Sequence, residues 1–158
     1  MHTLAHDIKR NAAKAESTAV NLQPFAPNEI CTAIADLVAT DELLLADALG
    51  IAGLSLYPND ASLLLSCALL AELRQDWVEA DRLLAQLIAE RGMSASASSW
   101  LHWVRVKHCL LQTETAVTLA QLALHEHPQH DDLLQALAYL QKHLQQAHSP
   151  SGQPPLAV

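Results

Sequence analysis

Aromatic residues and glycine are scarce in this chain of 158 residues, although about half of it is hydrophobic. Aromatic side chains make up 4% and hydrophobic ones 51% of the residues, and there are four glycines. Strands need β-branched and aromatic residues, with frequent turn residues between them. An interior built mainly from Ala and Leu is typical of packed helices instead. We therefore expect an all-α protein.

Basic residues are missing from a long part of the chain. No Lys or Arg lies between Lys14 and Arg74, whereas eight acidic residues do, and the net charge is −8 with neutral histidines. Nucleic-acid binding needs clustered cations that displace counterions, so we expect no nucleic-acid partner. The first half is predicted to carry an acidic surface. That surface either attracts a basic or mixed-charge partner or simply keeps the protein soluble.

Long apolar runs and signal-like segments are lacking as well. The most apolar run, Leu43–Leu56, is too short to cross a bilayer and contains Asp47. The basic residues near the N-terminus are not followed by the apolar region of a secretory signal. Three cysteines without a C-x-x-C pair, Cys31, Cys67 and Cys109, are expected to be reduced and buried. These features predict a cytoplasmic protein without membrane insertion.

Catalytic and metal-binding motifs are also lacking. His125 and His127 would lie about 200° apart on a helix, so they cannot share one tetrahedral ion. Gly50 and Gly53 lie inside a helical pattern without the strand and Lys of a phosphate loop, which indicates close helix packing. We expect no enzyme, no cofactor and no metal site. The alternative is a small helical protein that binds a metal or ligand through its His-rich C-terminal half, with His102, His108, His125, His127, His130, His143 and His148.

Apolar periodicity predicts seven helices after a boundary at Pro24 and Pro27. In the stretch 74–92, apolar residues recur with the spacing of one helix face, and Gly92 ends the pattern. The fourth helix is predicted in this stretch, after Asp76 and Trp77, and the others cover about 27–38, 42–56, 61–73, 99–111, 114–127 and 131–147. Residues 1–26 form a polar segment that can include a short helix over 4–17, and residues 148–158 are predicted to be a disordered tail.

The connections between these helices carry turn and cap signals. Thr40 with Asp41, either Asn59 or Asp60, and Thr113 are expected to cap the helices that follow them. The sequence MSASASS over 93–99 is small and polar, so it is predicted to be a loop.

A repeat of about 34 residues relates the helices. Ala46, Ala80 and Ala116 lie at matching places, 34 and then 36 residues apart. The same two intervals separate three residues that end these helices, Pro58, Gly92 and Pro128. A helix-turn-helix period of this length predicts stacked antiparallel helix pairs in a domain spanning 27–147. Its units are expected at about 27–60, 61–96 and 97–130, with a capping helix at 131–147.

This pattern resembles the tetratricopeptide repeat over about 27–128. The third unit fits best, with Trp100, Ala116, Ala123 and Pro128 at repeat positions 4, 20, 27 and 32. The small residues at positions 20 and 27 allow close helix contact, and the large one at position 4 fills the space beside them. Positions 8 and 24 depart from the family pattern in the first and third units, where they hold Ile34, Val104, Gly50 and Ala120.

The resemblance implies a protein–protein interaction module, an adaptor or chaperone, without enzymatic activity. In this family, the first helix of each pair lines a groove that binds a peptide or protein segment. The size and layout of the chain also resemble those of bacterial type III secretion chaperones of this fold, which implies that the partner is a secreted subunit. A homo-oligomer formed through apolar helix faces is compatible with both the adaptor and the chaperone role. The groove residues carried over to this sequence are Ser62, Leu65, Leu69 and Glu72 in the second unit and Leu101, Arg105 and His108 in the third.

Overall fold

The computed structural model describes residues 25–148, and all regular structure in that part of the chain is helical. The seven helices of this part are α1 (Pro27–Ala39), α2 (Leu43–Leu56), α3 (Ala61–Leu73), α4 (Trp77–Arg91), α5 (Ala97–Cys109), α6 (Thr113–Glu126) and α7 (Asp131–His148). A 3₁₀ turn over Gly92–Ser94 follows α4. The all-α prediction is confirmed. The expectations for a helix over 4–17 and for a disordered tail after residue 148 lie outside the described residues.

The chain divides into two compact units, with the boundary between Gly92 and Met93. We call the part up to Gly92 unit 1 and the part from Met93 unit 2, as distinct from the three repeats of the sequence. In unit 1, α1 packs against α2 and α3, α2 against α3, and α3 against α4. In unit 2, α5 packs against α6 and α7, and α6 packs against α7. Each unit is therefore built from antiparallel neighbours joined by short turns, as the repeat period predicts.

The turns inside the three helix pairs share one geometry. Asp41, Gln75 and Leu111 have φ angles of 61°, 60° and 61°. They lie 34 and 36 residues apart, the same intervals that separate the repeats in the sequence. In each turn the following amide donates to a carbonyl five residues back at 2.9 Å, which is the Schellman closure of a helix. Glycine usually occupies this place because a side chain is strained at positive φ, yet all three residues here carry one.

Small residues on the second helices allow these helices to approach their neighbours closely. Ala46, Ala80 and Ala116 are completely buried. Larger apolar residues complete the interior of each unit. In unit 1 they include Ile30, Ile34, Leu37, Leu49, Leu63 and Leu70, and in unit 2 they include Val104 and Leu140.

Two glycines of α2 lie where an added side chain would crowd a neighbouring helix. A Cβ atom on Gly50 would lie 2.8 Å from the Sγ atom of Cys67 on α3. A Cβ atom on Gly53 would lie 3.1 Å from the Cγ2 atom of Ile30 on α1. The prediction that these glycines serve close helix packing is confirmed.

Two repeats are closed by the same long-range hydrogen bond. The hydroxyl of Tyr57, at the end of α2, donates to the backbone carbonyl of Phe25 at 3.1 Å. The Nε2 atom of His127, at the end of α6, lies 3.1 Å from the backbone carbonyl of Ala95. Each contact spans 32 residues and ties the end of a second helix to the chain just before its first helix.

Two of the helix-cap predictions are wrong. Neither α2 nor α6 has a side-chain cap; their N-cap residues are Glu42 and Gln112. Asp41 cannot cap α2 because it occupies the positive-φ position of the preceding turn. Thr113 is already the first residue of α6. The cap predicted for α3 is confirmed, since the Asp60 carboxylate accepts two backbone N–H groups at 3.0 Å.

The predicted loop over 93–99 and the predicted helix over 99–111 are also wrong in their bounds. The Oγ atom of Ser96 accepts the backbone N–H of Ser99 at 3.1 Å and caps a helix that covers Ala97–Cys109. The helix therefore starts within the serine-rich stretch and ends two residues earlier than predicted. Serine is a favoured N-cap residue, so Ser96 could have indicated this helix start, although the small and polar composition of the stretch suggested a loop.

Candidate functional site

A pocket of about 320 Å³ lies between α1 and α3, the two first helices of unit 1. We call it the unit 1 pocket. Its walls are mostly apolar: α1 contributes Cys31, Ala35 and Val38, and α3 contributes Ser66, Leu69 and Leu73. Leu73 in this wall is 59% exposed. The pocket therefore offers open apolar surface on the helices that the repeat pattern assigns to the groove.

The four groove residues predicted in unit 1 lie in different surroundings. Leu69 lines the unit 1 pocket and is half-buried. Leu65 is half-buried one turn earlier on α3, and Ser62 is exposed in its first turn. Glu72 is buried, with 9% of its surface exposed. Leu69 is thus the member of this set that lines the pocket.

The electrostatics of unit 1 are dominated by carboxylates. From Phe25 to Leu73 the described chain contains no Lys or Arg. The first cation after this stretch, Arg74, is held 2.7 Å from Asp47 in an ion pair. A second ion pair joins Arg82 and Glu79 on α4 at 2.7 Å, and its hydrogen bond lowers the pKa of Glu79. Exposed Asp36 therefore lies near the pocket on a helix without any positive charge.

Burial disfavours the thiolate form of both cysteines of unit 1. Burial raises the pKa of the Cys67 thiol to about 12. Burial also raises the pKa of the half-buried Cys31 thiol in the pocket wall. Low-pKa thiolates are the reactive form of cysteine, so neither residue fits a nucleophile. The expectation that all three cysteines are buried is confirmed only for Cys67, since Cys31 is half-buried and Cys109 is exposed on α5.

A second pocket of about 280 Å³ lies between α5 and α7 in unit 2. We call it the unit 2 pocket. The three groove residues predicted in the third repeat, Leu101, Arg105 and His108, all line it. The opposite wall is formed by α7 through Ala136, Tyr139 and Leu140. The structure thus brings these three predicted residues together around one apolar depression.

Polar and aromatic groups surround the rim of the unit 2 pocket. The ring of His108 packs edge-on against Tyr139 at 5.7 Å and against His143 at 5.4 Å between ring centroids. The Nδ1 atom of His108 lies 3.2 Å from the hydroxyl of Thr113, which fixes the ring. Arg105 is exposed, with a guanidinium nitrogen 2.9 Å from Nδ1 of His102. Unlike the unit 1 pocket, this one has a cation at its edge.

Of the histidines predicted for the second half, His108 and His143 are in ring contact at the unit 2 pocket, whereas His125 and His127 have other partners. His125 is exposed and lies 3.0 Å from the carboxylate of Glu126. His127 contacts the backbone of Ala95 instead, as described above. Within residues 25–148, no three His, Cys, Asp or Glu side chains come together in a way that could hold a metal ion. None of the helices described in this part of the chain is long and apolar enough to span a membrane.

Solved structures with low sequence identity share this arrangement of helices. The TPR domain of Sgt2 from Aspergillus fumigatus gives a TM-score of 0.72 at 13% identity, covering 84% of this chain and 87% of that one. The fold is that of the tetratricopeptide repeat. The second TPR domain of human RPAP3, solved in complex with the HSP70 peptide SGPTIEEVD, gives 0.62 at 15% identity and covers 73% and 98%. YrrB, a TPR protein with an unusual peptide-binding site, gives 0.64 at 15% identity and covers 90% and 70%.

These likenesses concern the tetratricopeptide fold. No protein-family model matches the sequence, and no curated protein matches it. The prediction of a tetratricopeptide-like helical repeat is confirmed by the solved structures, whereas the narrower likeness to secretion chaperones finds no counterpart among the three.

Some pocket residues were missed although the tetratricopeptide pattern could have identified them. Cys31, Ala35 and Val38 occupy positions 5, 9 and 12 of the first repeat, the places from which groove residues were taken in the other repeats. Leu73 occupies position 13 of the second repeat. No comparable signal existed for Tyr139, because α7 lies beyond the third repeat and was expected to serve as a capping helix.

Proposed function

We propose that this chain is a protein-interaction module that holds a peptide or protein segment through apolar side chains inserted into the two pockets. The observation that carries the proposal is open apolar surface in the two pockets, with Leu73 on α3 59% exposed and Tyr139 on α7 57% exposed. Leaving these side chains in water costs free energy that a partner recovers on binding. Burying a fully exposed leucine is worth about 1.5–3 kcal/mol, and Leu73 can contribute a little over half of that because part of it is already buried. Each pocket is near the lower limit of small-molecule sites, so it suits one or two side chains.

The charges around the pockets define the partner further. The unit 1 pocket has Asp36 nearby and no cation from Phe25 to Leu73, so it favours an apolar residue next to a neutral or basic one. The unit 2 pocket has Arg105 at its edge and favours an apolar residue next to a carboxylate. The two pockets therefore favour opposite charges beside an apolar residue.

The solved structures support a peptide as the ligand. RPAP3 was solved with an HSP70 peptide, and YrrB has a peptide-binding site. The HSP70 peptide ends in the acidic sequence EEVD. An acidic end of this kind suits the surroundings of Arg105 in this chain and is disfavoured near Asp36, because like charges repel.

Narrower forms of the proposal concern the biological setting. One is a bacterial, cytoplasmic type III secretion chaperone whose partner is a secreted subunit. Another is a homo-oligomer formed through apolar helix faces. Co-expression with subunits encoded nearby would test the first, since a chaperone must keep its own subunit soluble and release it from the complex. Sedimentation equilibrium would test the second, since a self-associating chain gains mass with concentration.

Selection from a random dodecapeptide library displayed on phage tests the general proposal. We expect enriched peptides to combine apolar residues with charged ones. Leu73→Asp and Tyr139→Asp should each weaken binding at least about tenfold, or about 1.4 kcal/mol, because a carboxylate replaces an apolar contact. Leu44→Asp is the matched control, since Leu44 on α2 is 88% exposed and lines neither pocket.

Two results would contradict the proposal. One is a selection that enriches no peptide above background. The other is a set of peptides whose affinity falls with Leu44→Asp and is unchanged with both Leu73→Asp and Tyr139→Asp. Far-UV circular dichroism of each variant verifies that the helices are intact.

A further inference from the structure

We propose that the outer face of α2 joins two copies of this chain, with the two α2 helices packed antiparallel about a two-fold axis. The face consists of Leu44, Ala48, Ile51 and Ser55, and we call it the α2 face. The inference rests on the homo-oligomeric form of the proposed function and specifies the surface that forms it. Four features of the α2 face carry it: apolar exposure, lack of charge, alternation of large and small residues, and a satisfied hydroxyl group.

The α2 face is the exposed side of a helix that is apolar on all sides. Leu44 is 88% and Ile51 is 63% exposed, and Ala48 and Ser55 are exposed as well. The other sides of α2 pack against α1 and α3. A helix that is apolar all round is normally buried all round. Among the described residues, no other helix covers the α2 face, so a partner is needed to bury it.

The α2 face carries no charge that would oppose a second copy. The one charged residue of α2, Asp47, lies beside the face and is held 2.7 Å from Arg74 in an ion pair. Asp41 and Glu42 precede the helix. In an antiparallel pair centred on the face, these two carboxylates lie at the level of residues 58 and 57 of the other copy, which are uncharged. A parallel pair would instead bring each carboxylate to its own counterpart, where like charges repel.

Large and small residues alternate along the α2 face. Its members are spaced four, three and four residues apart, the spacing of the seam between two packed helices. An antiparallel two-fold axis at the middle of the face places Leu44 opposite Ser55 of the other copy and Ile51 opposite Ala48. Each large side chain then meets a small one, which fills the space between the helices. A parallel pair would place like against like and leave gaps beside the small residues. The antiparallel contact uses the same face twice and therefore closes at two copies.

The single polar side chain of the α2 face can be buried without losing a hydrogen bond. The hydroxyl of Ser55 donates to the backbone carbonyl of Ile51 at 2.9 Å, within its own helix. Burying a donor without a partner would cost free energy, but this donor keeps its partner in the dimer. The face therefore gives up no hydrogen bond between its own groups when a second copy covers it.

The size of the α2 face predicts a weak dimer. A helix of 14 residues is about 21 Å long and about 10 Å wide, so two copies bury on the order of 500 Å² in total. Stable interfaces bury about 1,200 Å² or more, and smaller ones belong to weak or transient complexes. We expect a dissociation constant on the order of 100 µM, with monomers in dilute solution and dimers at high concentration.

Sedimentation equilibrium of the full chain tests the self-association. The average mass should rise from 17.1 kDa toward twice that value as the concentration passes the dissociation constant. A reductant prevents exposed Cys109 from linking two copies. Ile51→Asp should weaken the association at least about tenfold, because it buries carboxylates without a cation. Val78→Asp is the matched control, since it adds the same charge to an apolar side chain of α4 that is 71% exposed and lies outside the face; it should change nothing.

Leu44→Asp decides if circular dichroism shows that Ile51→Asp has lost helix. This substitution lies in the first turn of α2, where a carboxylate stabilises a helix, so it should weaken the dimer and keep the fold.

Crosslinking tests the antiparallel geometry. In a background with Cys31→Ala and Cys109→Ala, chains with Leu44→Cys and chains with Ser55→Cys are treated with a short bismaleimide, each alone and mixed. The mixture should give crosslinked dimers. Leu44→Cys alone should give far fewer, because the two copies of position 44 would lie roughly 16 Å apart along the helix axes.

Three results would overturn the inference. The first is a mass that stays at 17.1 kDa well above the expected dissociation constant, or one that grows beyond two copies. The second is an equal loss of association in Val78→Asp and Ile51→Asp. The third is crosslinking of Leu44→Cys alone that matches the mixture. Peptide selection through Leu73 and Tyr139 does not involve the α2 face, so the two proposals fail separately. In cells, a crosslink from the α2 face would join two copies of this chain and no other protein.

Discussion

The contact between Gly50 and Cys67 gives a quantitative test of how α2 packs on α3. In Gly50→Ala, the new methyl group would lie 2.8 Å from the Cys67 Sγ atom, well inside van der Waals contact. Alanine in a helix interior is favoured over glycine by about 1 kcal/mol. Overpacking a dense core costs about 1–3 kcal/mol. We therefore expect Gly50→Ala to lower the free energy of unfolding by about 0–2 kcal/mol despite its better helix propensity.

Removal of the sulfur should reverse the sign of that effect. In a Cys67→Ala background the methyl group has room, so Gly50→Ala should raise the free energy of unfolding by about 1 kcal/mol. The coupling between the two substitutions is then about 1–3 kcal/mol, as expected for residues in direct contact. Gly53→Ala is the matched control, since its Cβ atom would meet Ile30 and Leu63 and should not be rescued by Cys67→Ala.

Urea unfolding followed by circular dichroism measures all of these free energies. The reasoning would be refuted if Gly50→Ala changed the stability by the same amount in both backgrounds, with a coupling below about 0.5 kcal/mol. It would also be refuted if Cys67→Ala rescued Gly53→Ala equally well.

Three further predictions concern the turns, the repeat closure and the buried thiol. Leu111→Gly should raise the free energy of unfolding by about 0.5–1 kcal/mol in urea, because it relieves positive-φ strain at a side chain that is 90% exposed; a loss of stability would contradict this. Tyr57→Phe should lower it by about 0.5–1.5 kcal/mol by removing the bond to the Phe25 carbonyl, and an unchanged urea midpoint would speak against that bond. Burial raises the pKa of the Cys67 thiol from its ordinary value of 9.0 to about 12. Between these two pH values the unfolded chain loses the thiol proton and the folded chain keeps it. The free energy of unfolding should therefore fall by about 1.4 kcal/mol for each pH unit of increase in this range. Cys67→Ala should flatten this part of the pH profile, and an unchanged profile would contradict the prediction.

Much of the helical architecture could be predicted from the sequence. The apolar periodicity of 74–92 and the recurrence of small residues at Ala46, Ala80 and Ala116 each specify a helix with one buried face. These signals are local or periodic, so a single sequence contains them in full. What the sequence did not specify was the chain between helices. Ser96 caps α5 inside a stretch whose composition suggests a loop. Asp41 adopts a positive φ angle in the turn before α2, although an aspartate does not require that conformation.

The candidate site could be predicted in part. Leu69, Leu101, Arg105 and His108 were located because the repeat register assigns them to the first helices, and each lines a pocket. The contribution of α7 through Tyr139 could not be predicted, because it depends on how a helix without a repeat partner packs against α5. Burial of Glu72 was equally unpredictable, since a charged residue is normally expected at the surface.

Site-specific photocrosslinking in the source cells tests the central claim most directly. A benzophenone side chain replaces Leu73 or Tyr139 in the pockets, and Leu44 or Ile51 on the exposed face of α2 as controls. We predict that the pocket positions give one or a few discrete crosslinked partner proteins and that the α2 positions do not. The account would be contradicted if adducts formed at Leu44 and Ile51 while both pocket positions remained unlinked.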